Sequence, residues 1–261
     1  MNQTLPVRRP FPDQGFNVTL RRLHPVVWGA GLLLACTASA GGFTTLTLPT
    51  LTDDIRTWTD GAVYDPLFPS SSQTFAGVPF DFQSDANGNT VFYGGTLGSP
   101  VSDTLDIPVS QFGIRKVYTI INTAFGVSGG NVGSVTFNGS GGLTYTVDLI
   151  EGANVRDHYY GGFVDTTSDP TTTEAVFGLN SPGNSHLDMQ AFTLPSSFST
   201  ATLTDIQFYS VADASNGKPF LAAATVSTVP EPAAYGTLFG LGLLAVTGLR
   251  RQRELALRKD P

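Results

Sequence analysis

The run Asn154-Val155-Arg156-Asp157-His158-Tyr159-Tyr160 is the densest polar and aromatic group in the sequence. Its residue types suit recognition of a sugar. A guanidinium such as Arg156 and a carboxylate such as Asp157 can hydrogen-bond ring hydroxyls. Tyr159 or Tyr160 can stack on the face of a pyranose. The same residues also have a structural use, in which Arg156 pairs with an acid and one tyrosine caps the core. A third use is catalytic: Asp157 and Asp165 are two carboxylates of the kind that glycoside hydrolysis requires.

Other patterns carry less chemistry. Gly126-Val127-Ser128-Gly129-Gly130 spells the G-x-S-x-G nucleophile elbow, a mechanism that needs a strand before it and a helix after it. Asn131-Val132-Gly133 leads instead into a strand, so a flexible turn is expected. His158 and His186 have no His-Glu-x-x-His setting and are read as ordinary polar residues, with no metal site assigned. Asp85-Ala86-Asn87-Gly88-Asn89 opens like a calcium loop. Position twelve of that frame is Thr96 rather than Glu, which excludes an EF-hand. A carboxylate with backbone oxygens could still hold a weak structural calcium there; no other cofactor is expected. Trp58, in an acidic stretch rich in Thr, could stack on a ligand or pack a terminal strand onto the body.

The elements that must position these residues are strands. Strand-like segments recur every 10 to 15 residues between 43 and 226. They are Phe43–Leu48, Thr74–Phe82, Thr90–Tyr93, Thr104–Val109, Arg115–Asn122, Val132–Phe137, Leu143–Ile150, Glu174–Phe177, His186–Leu194, Thr202–Tyr209 and Phe220–Val226. In Leu143–Ile150, Leu143, Tyr145, Val147 and Leu149 share one face, while Thr144, Thr146 and Asp148 share the other. Asn138-Gly139-Ser140-Gly141-Gly142 before it is a hairpin signal. No stretch of the body, 41–229, shows a period of 3.6 residues; helices are expected only at the N-terminal signal and the C-terminal membrane span. Many short strands joined by Gly-rich turns predict an all-β fold, an antiparallel β-sandwich or jelly roll. The run 154–160 then falls in a loop at one end of the sandwich, where ligands usually bind.

Composition narrows the partners. The segment 41–229 carries five Lys and Arg against seventeen Asp and Glu, a net of −12. Such a body repels phosphate backbones, so nucleic acid is not an expected partner. The basic residues sit mostly at the two ends. Arg21 and Arg22 precede an apolar run from Val26 to Cys36, and Ala38-Ser39-Ala40 follows. These are the parts of a secretory signal peptide cleaved after Ala40, which makes the Sec translocon and signal peptidase partners. Leu33-Leu34-Ala35-Cys36 loosely resembles a lipoprotein box, the alternative at this end. The sequence has one cysteine, Cys36, so cleavage after Ala40 leaves a mature chain without thiols or disulfides.

The C-terminal end reads Pro230-Glu231-Pro232, then an uncharged run from Ala233 to Leu249, then Arg250-Arg251-Gln252-Arg253. As a helix, the run would extend about 25 Å, enough for a thin bilayer. The arginines act as a stop and stay cytoplasmic, as does the tail 254–261. Both basic flanks then lie on one side of the inner membrane and the 189 residues between the two signals on the other.

This tripartite end resembles the PEP-CTERM sorting signal of Gram-negative bacteria. The resemblance implies recognition of Pro230-Glu231-Pro232 by an exosortase, a membrane cysteine protease. It also implies export to the cell surface or extracellular space, often alongside exopolysaccharide. Within the body, Gly77–Phe80, Ile121–Gly126, Val132–Phe137 and Glu151–Tyr159 are similar to segments of galactose-binding-like jelly rolls, a fold often used to bind carbohydrate. The expected organisation is a signal peptide over 1–40 and a β-sandwich over 41–228. A sorting signal follows over 229–253 with its transmembrane helix at 233–249, and the tail comes last. The expected function is a non-catalytic surface or matrix protein that binds carbohydrate through Arg156, Asp157, Tyr159 and Tyr160. The alternatives are a purely structural envelope or biofilm component and a polysaccharide hydrolase.

Overall fold

The computed structural model describes residues 42–58, 68–94, 102–161, 163–169, 171–178, 185–211 and 217–228. The chain divides into Met1–Cys36 and Thr37–Pro261, and every described residue belongs to the second unit. The expected signal peptide with Ala38 and Ala40, the sorting segment with its helix 233–249, and the arginines 250, 251 and 253 lie outside the described residues.

Twelve strands are described: β1 (Phe43–Leu46), β2 (Ser72–Phe75), β3 (Val78–Asp81), β4 (Phe92–Tyr93), β5 (Asp103–Phe112), β6 (Ile114–Ala124), β7 (Asn131–Gly139), β8 (Leu143–Ile150), β9 (Thr172–Gly178), β10 (His186–Thr193), β11 (Thr202–Ser210) and β12 (Lys218–Thr228). They build a six-stranded sheet in the order β1-β12-β6-β10-β9, with β4 also on β12. A four-stranded sheet runs β5-β11-β7-β8, and β2 pairs with β3. All these pairings are antiparallel. Among the described residues no helix is long and apolar enough to cross a membrane.

The sequence pattern explains which strand sits where. In β8, Thr144, Thr146 and Asp148 are exposed, and Tyr145, Val147 and Leu149 pack on the core. One apolar face makes it an outer strand. β6 has apolar residues on both faces. Val117 and Ile121 enter the core between the two large sheets, with Phe137, Ile206 and Phe208. Ile120 and Ala124 enter a second core with Val78, Phe80 and Phe220. The large sheet is therefore covered on both sides, by the four-stranded sheet on one and by the β2–β3 hairpin on the other. Full burial of each such side chain contributes roughly 1.5–3 kcal/mol. In β12, a bulge between Leu221 and Ala223 changes the phase of the strand. Phe220, Ala222 and Ala223 serve the second core, while Leu221, Ala224 and Val226 serve the first.

One expected strand is corrected. The segment 74–82 is not continuous but falls within the β2–β3 hairpin, which turns at Ala76-Gly77 with φ of 49° and 81°. Positive φ at both central residues is what a two-residue turn between twisted strands requires. Glycine adopts it freely; alanine at that position hides the turn from a reader of sequence. Trp58 packs edge-on against Tyr93, Phe220 and His158.

Candidate functional site

The polar centre of the molecule is a fork in the large sheet. β6 and β10 are paired from Lys116–Thr193 to Ile120–Met189. Beyond that point they part, and the segment Val155–His158 enters between them. Thr123 donates its N–H to the Arg156 carbonyl at 3.0 Å, and His158 donates to the Thr123 carbonyl at 2.8 Å. On the other edge, His186 donates to the His158 carbonyl at 2.9 Å. Thr123 and Asp157 thus form a parallel bridge within a sheet that is otherwise antiparallel.

Side-chain amides close the branch point. The Gln190 Oε1 accepts the Ile121 N–H at 2.9 Å, and its Nε2 donates to the Ile121 carbonyl at 2.7 Å. The Asn122 Oδ1 accepts the Asp188 N–H at 2.8 Å, and its Nδ2 donates to Asp188 Oδ2 at 2.9 Å. Each amide presents one donor and one acceptor, as a peptide group does, and so replaces the missing strand neighbour.

Charged groups sit on this frame. Arg156 grips Asp188 with two bonds, Nε to Oδ2 at 2.6 Å and Nη2 to Oδ1 at 2.8 Å, and donates from Nη1 to the Asp165 carbonyl at 2.6 Å. Both members of the pair are buried. Burial pushes the Asp188 carboxyl up, and the guanidinium opposes that shift. Asp157 accepts the Phe125 N–H at 2.7 Å and the Tyr159 N–H at 2.6 Å, one on each oxygen. Burial also pushes Asp157 up. Glu151 accepts the Thr123 hydroxyl on Oε1 at 2.9 Å, while Oε2 has no hydrogen-bond partner among the described residues. Burial, with the nearby Asp157 adding to it, pushes Glu151 up to about 8. The side chain lies so close to Gly126 that a Cβ there would collide with it. His186 is pushed down to about 3, first by burial and then by the Arg156 charge.

The structure revises the expected sugar site. Arg156 and Asp157 are 3% and 1% exposed. They lie on a segment inserted beside β6 rather than in an end loop: the Arg156 carbonyl accepts from Thr123, and Asp157 donates its N–H to the Val164 carbonyl at 2.9 Å. Arg156 pairs with an acid, the structural use its residue type allowed. Asp157 commits both oxygens to backbone amides, while Asp165 enters the cluster through its carbonyl. Tyr159 and Tyr160 are half-buried. Tyr159 bridges to Ser185, and the Tyr160 ring lies edge-on to His186 at 6.5 Å. Gly126–Gly130 links β6 to β7, so no helix follows the serine.

The Asp85 turn is closed on itself. Its Oδ1 accepts the Asn87 and Asn89 N–H groups at 2.8 and 2.9 Å, and Oδ2 accepts Asn89 Nδ2 at 2.9 Å. Among the described residues, no group of three or more His, Cys, Asp or Glu side chains could hold a metal ion. Asn122, Glu151, Asp188 and Gln190 escaped the sequence reading. For Asn122, Asp188 and Gln190 the signal is a polar residue inside an otherwise apolar strand, as in Ile120-Ile121-Asn122 and Leu187-Asp188-Met189; Glu151 follows the alternating strand β8 and carries no such signal.

Comparisons with known proteins bear mainly on the C-terminal end. Residues 228–252 match the PEP-CTERM protein-sorting motif. The chain therefore carries the signal of an exported protein that exosortase sorts through its C-terminus. No curated protein matches the chain. Among solved structures, a CBM35 from Cellvibrio japonicus Abf62 is similar at 16% identity, covering 71% of this chain and 92% of that chain, with a TM-score of 0.23. A likeness at that score bears on neither fold nor ligand.

Proposed function

We propose that this protein is a non-catalytic module displayed at the cell surface or in the extracellular matrix, where it holds carbohydrate against Tyr159 and Tyr160. The observation that carries the surface assignment is continuity: the sorting motif begins at Thr228, the last residue of β12. The folded sandwich is thus joined directly to the signal for exosortase, with the inner membrane, the Sec translocon and signal peptidase as partners during export. The tyrosines support the carbohydrate reading. Both are half-buried; the Tyr159 N–H is held by Asp157 and the Tyr160 ring lies edge-on to His186, and aromatic faces suit sugar rings. The acids and bases of the fork face one another and the backbone, which favours a binding or structural role over turnover. Exopolysaccharide from the host is the expected ligand.

The purely structural reading, an envelope or biofilm component, is favoured by the burial of Arg156 and Asp157. Pull-down on host exopolysaccharide and a glycan array separate the two. Tyr159→Ala and Tyr160→Ala are expected to lower binding at least about tenfold, the loss of a good aromatic contact, with the melting curve still cooperative. No binding by the unaltered protein on either panel leaves the structural reading standing. Polysaccharide turnover by the purified domain that disappears in Asp157→Asn would replace both with a hydrolase.

A further inference from the structure

The first and last strands lie side by side where the sorting motif begins. β1 pairs with β12 from Leu46–Ala224 to Phe43–Ser227. Thr228 donates its N–H to the Gly42 carbonyl at 3.1 Å and its hydroxyl to the same oxygen at 3.3 Å. On its other edge the end of β12 is held by β6, with Ser227 opposite Lys116 and Thr228 opposite Ile114. In the sequence only Val229 separates Thr228 from Pro230-Glu231-Pro232. Proline has no N–H to continue a ladder, and it restricts the residue before it to extended backbone. The described ladder thus reaches Thr228, with one residue left before the tripeptide.

A protease that takes an extended substrate needs backbone donors and acceptors on both sides of the recognised residues. Upstream of the tripeptide those groups are engaged by β1 and β6. The two holds differ. β6 is buried along most of its length, whereas β1 has four residues and is exposed at Phe43, Thr44 and Thr45. Short exposed edge strands open at low free energy.

We propose that β1 is a clasp on the sorting motif: while Phe43–Leu46 lies along β12, exosortase is denied the chain just upstream of Pro230, and release of β1 sets the rate of processing. The proposal rests on exosortase sorting of this chain. The clasp governs access and adds no chemical step.

A reversible crosslink tests it. Phe43 and Ser227 are direct cross-strand partners, and Cys36, which precedes the body, is the single cysteine of the sequence. Export places the body where disulfides form. The full chain with Phe43→Cys and Ser227→Cys is expressed beside the unaltered chain in a host with exosortase and in the same host lacking it. Processing is followed by pulse-chase and mass. The unaltered chain is expected to be processed only where exosortase is present. The crosslinked chain should be processed about tenfold more slowly or not at all, since cleavage follows the open population, and reductant should restore the rate.

A second variant inserts a flexible Gly-Ser stretch of about eight residues between Thr228 and Val229, roughly 15 Å of reach. It leaves the ladder intact and is expected to make processing fast and indifferent to the crosslink. A crosslinked chain processed at the unaltered rate overturns the clasp and leaves sorting intact. So does a crosslinked chain that stays unprocessed after reduction or with the insertion, because the block then lies elsewhere. An unaltered chain handled alike in both hosts overturns the sorting assignment, and the clasp with it.

Discussion

Glu151 and His186 give the fork opposite responses to pH. Glu151 is 1% exposed, and its pKa rises from the ordinary 4.5 to about 8. The folded chain keeps a proton there that the unfolded chain loses, so this contribution to stability is full below about 4.5 and lost as pH rises through about 8. Asp157, also shifted up by burial, acts in the same direction. His186 is shifted down from 6.5 to about 3, so its contribution is full above 6.5 and lost as pH falls toward 3. The two slopes oppose one another between 4.5 and 6.5. Stability is expected to fall above 6.5, where the His186 contribution is already full and that of Glu151 is being lost, and below 3.8, where the contributions of the two acids are full and that of His186 is being lost. Glu151→Gln keeps the shape and an acceptor for the Thr123 hydroxyl while removing the ionisation. It should flatten the alkaline limb and raise the melting temperature at pH 8, by about 2–4 °C for each kcal/mol regained in a domain of this size. Calorimetry from pH 4 to 9 measures this, and an unchanged alkaline limb would assign the fall to another group.

At the scale of elements, the fork depends on side chains standing in for a strand. Gln190→Leu keeps the volume but leaves the Ile121 N–H and carbonyl without their partners in a buried place. Each orphaned group costs roughly 1–3 kcal/mol, so a loss of about 2–5 kcal/mol is expected. Hydrogen exchange should quicken first at Ile121; a variant as stable and as protected as the unaltered protein would show that the amide is dispensable. The same geometry explains what the sequence could reveal. Alternation in Leu143–Ile150 and the apolar density of Arg115–Asn122 report local burial, so those strands were legible. The insertion of Val155–His158 was not. Its partners are Thr123 and His186, far along the chain, and nothing local distinguishes a segment gripped on both edges from a polar loop before Gly161. For the same reason the chemistry of Arg156 could be named as ion pairing, but Asp188 could not be named as its partner. The Asp157 carboxylate looked available because the backbone amides that claim it, from Phe125 and Tyr159, leave no trace in residue type.

At the scale of the whole molecule, charge and strand order point the same way. The segment 41–229 is strongly acidic, and both flanks are basic. β1 begins just after the expected cleavage site and lies beside the end of β12, where the sorting motif starts. The entry and exit of the sandwich are thus neighbours on one sheet edge, an arrangement that lets both be tethered to one membrane face without crossing the body. β12 is also an interior strand of the large sheet, paired with β1, β6 and β4. The sheet is therefore incomplete until the last residues before the sorting motif have been translocated. Folding is expected to finish only after the chain has crossed the membrane, with the C-terminal segment still in it. Mass spectrometry of the protein recovered from its host tests this order through the termini it leaves. The expected mature chain starts at Gly41 and lacks the segment 233–249. A chain starting at a lipid-modified Cys36 would replace signal-peptidase cleavage after Ala40 with lipoprotein processing. An intact chain, soluble in the cytosol, would show that the acidic body never crossed, and the surface role would fall with it.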